Sequence, residues 1–340
     1  MCRGPRGEMF ARVCNGDPPG TGQRIGYEMC VARDWSRGIV AAEIAKIAGA
    51  EVDYLQFFDQ NQGCSAPLCY ERGHGHPPAP GPWLTEAMST LLDASARAIH
   101  RAGSRAILGC ENGAAQPYIR HLPLNDLRNH LAWRYARPVP AYAMLFHEYV
   151  NNFMGNGVCL CDWFDRHKSA EFIQYRTAYS FVSGDLLSAV MKGGGEMHWS
   201  WTVGWDEPGP AQEPLTELMG TLNAWRRGRG RDFLVFGRME KDLPVACGTW
   251  PLHFLNEHPA LDLPSVLSSH WTNGGREAEI LVNFRGWRPE RATVVFGAER
   301  TGRWYAAPAA AAAGTPFAGD ALTLDVPPLS AVAIEFDEID

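Results

Sequence analysis

Three carboxylates stand just past apolar runs. Asp59 follows residues 52–58 (VDYLQFF), Glu111 follows residues 105–110 (RAILGC), and Glu148 follows residues 140–146 (PAYAMLF) with His147 between. Cleaving a glycosidic bond needs two such groups, one to protonate the leaving oxygen and one to attack or to activate water. If the apolar runs are neighbouring parallel strands, about 4.8 Å apart, carboxylates at their tips approach the roughly 5–5.5 Å separation of a retaining pair. Asp59, short and held by its strand, suits the nucleophile. Glu111 has the reach of an acid/base. Glu148 fits a transition-state stabiliser, a ligand of a sugar hydroxyl or a partner of nearby arginines. A plainer reading stays open, in which strand-end carboxylates only cap helices or bond to loop backbone.

Around these three stand polar side chains suited to sugar hydroxyls: Gln60, Asn112 and His147. Cys64-x4-Cys69-x4-His74-x-His76 offers thiolates and imidazoles, the right zinc donors, which raises a metal-dependent hydrolase as one reading. Zinc fingers, however, use a closely spaced Cys pair and a separate His pair. The loop is therefore expected to contact substrate through His74 and His76, with no metal and no cofactor. Cys159 and Cys161 alternate across a run and chelate poorly. Trp199 and Trp201, just after His198, share one face as core or as the floor of a sugar site. Asp206 follows as a further substrate ligand, with Glu207 beside it.

Positioning these groups requires alternation of strands and helices. Strands are expected at residues 24–32, 52–58, 105–110, 140–146 and 195–202, with 158–161 a possible sixth. Helices are expected at 34–48, where Ile39, Val40, Ile44 and Ile47 share a face, and at 84–102, 123–136, 166–191 and 213–227. This is an α/β pattern with a parallel sheet, whose strand C-termini gather the site. No G-x-G-x-x-G or G-K-[ST] motif supports nucleotide binding. Eight strands close a (β/α) TIM-type barrel, so the first strands are expected to be missing and the sequence to be a fragment. From about residue 233 short β runs take over (233–236, 279–284, 292–296, 303–306, 322–326, 331–336), which reads as an antiparallel β-sandwich. The predicted domains are residues 1–230 and 231–340, with the alanine-rich 306–314 a surface loop.

Composition narrows the partners. A net charge of -7 without a basic stripe argues against nucleic acid; the Arg226, Arg227, Arg229, Arg231 cluster is short and reads as linker. Apolar runs fall short of the ~20 residues of a membrane span, and no membrane partner is expected. Nine cysteines, an odd number without framework spacing, argue against a disulfide scaffold. Twelve tryptophans could stack on sugars, but each is better read as core. The first residues carry no signal-peptide apolar region, and localisation stays open.

Taken together, VDYLQFFDQNQG, HGHPPAPGPW, LGCENGAAQPYI, LPLNDLR and PVPAYAMLFHEYVNNFMGN resemble an uncharacterised bacterial glycoside-hydrolase-like domain family, over roughly residues 23–210. That family is distantly similar to endo-α-N-acetylgalactosaminidases and to the α-amylase superfamily. The resemblance implies a nucleophilic Asp after the fourth barrel strand and an acid/base Glu after the fifth, which fall on Asp59 and Glu111. It also implies an acidic residue beyond Glu111, where this chain has Gln116. The expected function is a glycoside hydrolase, retaining in mechanism, acting on an oligosaccharide or glycoconjugate. The alternative is a degenerate barrel that binds carbohydrate without cleaving it.

Overall fold

The computed structural model describes residues 1–14, 24–57, 64, 66–127, 137–154, 164–165, 167–189, 193–195, 212–255 and 258–338. The chain divides into two compact units, Met1–Asn125 and Asp126–Asp340.

In the first unit, β1 (Ala11–Cys14) and β2 (Arg24–Tyr27) form an antiparallel pair. The run at 24–32, expected as a parallel strand, therefore belongs to a hairpin. Helix α1 (Asp34–Ala48) buries Val40, Ile44 and Ala48 at a spacing of four, one side of a helix. Ile39 and Ile47, expected on the same face, point outward at 38% and 44% exposure. β3 (Tyr54–Phe57) leads through α2 (Pro82–Arg101) into β4 (Ile107–Cys110), and β3 and β4 pair in parallel. Proline opens α2, where its missing N–H costs nothing. The helix buries Ala87, Met88, Leu91, Leu92, Ser95, Ala98 and Ile99 as one stripe. That stripe meets Leu55, Phe57, Leu108 and Cys110 in a single core. The strand–helix–strand unit read from the sequence is thus present.

The second unit departs further from expectation. Residues 140–146, read as a strand, form helix α3 (Ala141–Phe146). Proline at the N-cap followed by Ala, Met and Leu favours that turn of helix, and an apolar run this short does not distinguish strand from helix by periodicity. β5 (Leu124–Asp126) stands at the start of the run 123–136 expected to be helical, and β6 is Asn151–Phe153. Helix α4 (Phe172–Val182), shorter than expected, is buried on every side. α5 (Gln212–Arg227) agrees with its prediction, whereas 233–236, expected as β, overlaps the short helix α6 (Arg231–Leu234).

A large antiparallel sheet dominates the unit, in the order β14 (Thr315–Val326), β13 (Glu290–Tyr305), β15 (Ser330–Phe336), β12 (Arg276–Asn283), β11 (Val266–Asn273), β7 (Arg238–Glu240), with β8 (Val245–Cys247) on β13. β9 (Thr249–Leu252) and β10 (Leu261–Pro264) pair separately. Strand alternation sorts the sheet's side chains between two cores. Ala278, Ile280, Val282, Ala331 and Ala333 join the helices' Phe181, Leu218 and Trp225. Leu281, Val332, Ile334 and Phe336 join Val294 and Val326. Parallel pairing joins β3 to β4, and a parallel bridge joins Phe153 to Leu186; β5 and β6 form a two-stranded sheet.

Candidate functional site

The strand-end site begins at β3 and β4. Their register pairs Gln56 with Gly109 and Phe57 with Cys110, so Glu111 directly follows the last paired residue of β4. Two hydrogen bonds anchor that end. The Cys110 backbone N–H donates to Asn125 Oδ1 at 3.0 Å, and Asn125 Nδ2 donates to the Leu122 carbonyl at 2.9 Å. Asn112 then turns the chain in the left-handed region, φ 68°, which Asn tolerates better than most residues. Glu111 is only 4% exposed. Gln116 is exposed and opens the 3-10 turn Gln116–His121. Asp59 and Gln60 lie outside the described residues, as do Trp199 and Asp206 and, with them, His198, Trp201, Glu207, Cys159 and Cys161.

His74 and His76 gather with cysteines from elsewhere in the first unit. Cys30, after β2, and Cys69 converge with them so that one ligand atom from each lies within 4.8 Å of all the others. Cys30 Sγ is 3.3 Å from His76 Nε2, and Cys69 Sγ is 3.4 Å from His74 Nδ1. Cys2 is buried beside them. A hydrogen bond from Cys2 holds the Cys30 thiol well below its ordinary range, and the same pairing together with burial raises that of Cys2. Cys64, which the sequence spacing put in this set, instead packs its sulfur on Met88 Sδ at 3.8 Å in the main core. Local spacing revealed Cys69, His74 and His76; nothing local could point to Cys30.

His147 and Glu148 belong to the second unit. They follow helix α3, not a strand, which corrects the expected strand-end placement. His147 is buried against Trp271, with ring centroids 4.8 Å apart. Burial, reinforced by the charge of Arg226, holds its pKa down at about 4, so the ring is neutral near pH 7. Glu148 is exposed. Arg226, read as linker, is itself core: it donates to the carbonyls of Gly184 at 2.5 Å and Leu234 at 3.0 Å.

A cavity of about 350 Å³ in this unit, which no sequence motif signalled, is lined by Arg137, Tyr175, Tyr179, Asp242, Ser268 and Ser269 among others. Its volume suits a small polar ligand. Burial raises the Asp242 carboxyl and the phenols of Tyr175 and Tyr179, which favours protonated hydrogen-bond donors there. No described helix is long and apolar enough to cross a membrane.

Among known proteins, residues 5–156 match the model of a family described as a domain of unknown function, DUF6259. No curated protein matches the chain. Three solved structures resemble it over most of its length. One is a GH27 β-L-arabinopyranosidase from Geobacillus stearothermophilus, 13% identical, covering 96% of this chain and 67% of its own, with a TM-score of 0.40. Another is a noncanonic maltogenic α-amylase from Thermotoga neapolitana, at 11%, 97%, 72% and 0.47 respectively. The third is a GH30 endoxylanase from Clostridium papyrosolvens, at 10%, 97%, 76% and 0.37.

Proposed function

We propose that the chain is part of a glycoside hydrolase of (β/α)-barrel type in which Asp59 acts as nucleophile and Glu111 as acid/base on an oligosaccharide or glycoconjugate. One observation carries the reading. β3 and β4 are adjacent and parallel, joined by α2, and the sequence continues past their C-termini into Asp59 on one and Glu111 on the other. Neighbouring strand ends bring carboxylates within the range a retaining mechanism needs. In that reaction Asp59 attacks the anomeric carbon while Glu111 gives its proton to the leaving oxygen. Glu111 then takes a proton from the water that releases the sugar. Asn112 and Gln60, next to the pair in sequence, are assigned to substrate hydroxyls.

A second reading, a domain that binds sugar without cleaving it, is favoured by Gln116. It is exposed where the family resemblance implies an acid, whereas Glu111 is only 4% exposed.

Turnover of a panel of aryl glycosides separates the two. Under the hydrolase reading Asp59→Ala and Glu111→Gln each lower kcat by roughly 10²–10⁴-fold with circular dichroism unchanged. Azide rescues the Asp59 variant with formation of a glycosyl azide. Unchanged kcat in either variant removes that residue from its role. Sugar binding without turnover, together with activity gained in Gln116→Glu, selects the second reading.

A further inference from the structure

We propose that Cys30, Cys69, His74 and His76 form a tetrahedral zinc site that fixes the long loop between β3 and α2. The donor set is Cys2His2, characteristic of structural zinc, which is closed by four protein ligands. The distances fit. Zinc bonds of roughly 2.0–2.3 Å set the edges of the ligand tetrahedron at about 3.5 Å, and the two sulfur–nitrogen separations are 3.3 and 3.4 Å. Cys30 and Cys69 are 1% and 0% exposed, so the metal would sit out of bulk water.

The outer contacts point the same way. His76 Nδ1 lies 2.9 Å from the Pro77 carbonyl, which only accepts. Nδ1 therefore carries the ring proton, leaving the Nε2 lone pair facing Cys30 and the metal position, the usual arrangement of a metal-bound imidazole. Trp83 stacks on the same ring at 3.7 Å and 9°, and its indole N–H is tied to the Ala79 carbonyl at 2.8 Å. The turn Arg72–His74 that presents His74 is capped by the Glu71 side chain on the Gly73 N–H. On binding, both thiols lose their protons to solvent, and two thiolates neutralise the dication.

Need matches means. From Ala66 to Gly81 the chain has one short 3-10 turn. Ordered loops of this length usually depend on an added constraint. The cluster beneath this one contains three buried residues, Cys2, Cys30 and Cys69. Metal binding supplies what so small a core does not. Cys2, hydrogen-bonded to Cys30, is assigned as a neighbour of the site and not a ligand.

The test is metal content of the full chain, purified reduced and without added metal or chelator. About one zinc per chain is expected. Replacement by Co²⁺ should give the intense visible bands of tetrahedral cobalt together with sulfur-to-cobalt charge transfer. Cys30→Ser and Cys69→Ser should abolish them, whereas Cys2→Ser, Cys64→Ser and Cys110→Ser keep them. Cys69→His guards against a variant that fails to fold: it should keep one metal and lose part of the sulfur charge transfer. Three results would each overturn the site: no stoichiometric zinc together with no cobalt uptake, a disulfide among Cys2, Cys30 and Cys69 in the freshly purified chain, or unaltered sulfur–cobalt bands in a Cys30→Ser/Cys69→Ser double variant.

Discussion

Gly109 shows how tightly the strand end carrying Glu111 is set. A β-carbon built there would overlap the Leu124 carbonyl oxygen and lie 2.6 Å from the Tyr54 ring. Glycine inside a strand normally weakens it, and it persists where another backbone comes this close. The obstruction is main chain, which cannot swing aside as a flexible side chain can. Gly109→Ala should therefore cost about 3 kcal/mol, and because Cys110 is the next residue it should also disturb the Cys110–Asn125 bond that holds Glu111. Urea unfolding measures the first effect and, under the proposed hydrolase reading, kcat the second. A midpoint within error of the parent would mean that the Leu124 carbonyl moves freely and that the strand end is softer than its contacts imply.

At the level of elements, β11 and β12 carry a buried ionisable pair. The strand register sets His270 directly opposite Glu279. His270 Nδ1 meets Glu279 Oε2 at 3.0 Å, and Nε2 meets Glu277 Oε1 at 2.9 Å. Arg300 holds Glu277 from β13, and Asp242 faces the pair from the segment after β7. Burial opposes the charge on His270, but the bonds and charges of Glu279 and Glu277 outweigh it and raise its pKa. Burial raises Glu279 to about 7. Both shifts have one sign. The folded chain holds more protons than the unfolded chain above pH ~4.5, so this pair's contribution declines as pH rises through 7. The urea midpoint of the parent should fall between pH 5.5 and pH 8, and Glu279→Gln should flatten that fall. An equal pH slope in parent and variant would assign the dependence to other groups. The same scale shows what was legible in the sequence. α2, α5, β4, β12 and β15 were readable because their periodicity runs long enough or their flanks are punctuated. Residues 140–146 were not, because six apolar residues after a proline suit strand and helix alike. β9 and β10 were missed because Pro251 and Pro264 interrupt the runs that form them. Within the candidate sites, Glu111 was visible from its strand. Cys30 was not, because 39 residues separate it from Cys69 and only the tertiary fold joins them.

Across the whole chain, each unit has apolar cores of its own. The cluster around Leu55, Met88, Leu91 and Leu108 draws only on the first 125 residues. The clusters around Trp225, Trp271 and Ile280 and around Leu281 and Val294 draw only on the second unit. The cysteine and histidine donors all belong to the first. A ligand that binds only the folded form stabilises what its site is coupled to, by about 2.7 kcal/mol at a concentration a hundredfold above its Kd. Zinc should therefore protect the first unit selectively. Hydrogen exchange on the intact chain, with and without a strong chelator, resolves this. Chelation should speed exchange at amides of the metal loop, including Tyr70, whose N–H donates to the Arg3 carbonyl, and His74, whose N–H donates to Glu71. It should spread to the first turns of α2, because Trp83 is stacked on His76. Amides of β11, β12 and β15, locked in a ladder from Val266 to Phe336, should keep their rates. Equal acceleration in both units would mean that the chain unfolds as a single cooperative body. Acceleration in neither would leave the loop held by packing and hydrogen bonds alone, with the cysteines serving as small apolar residues.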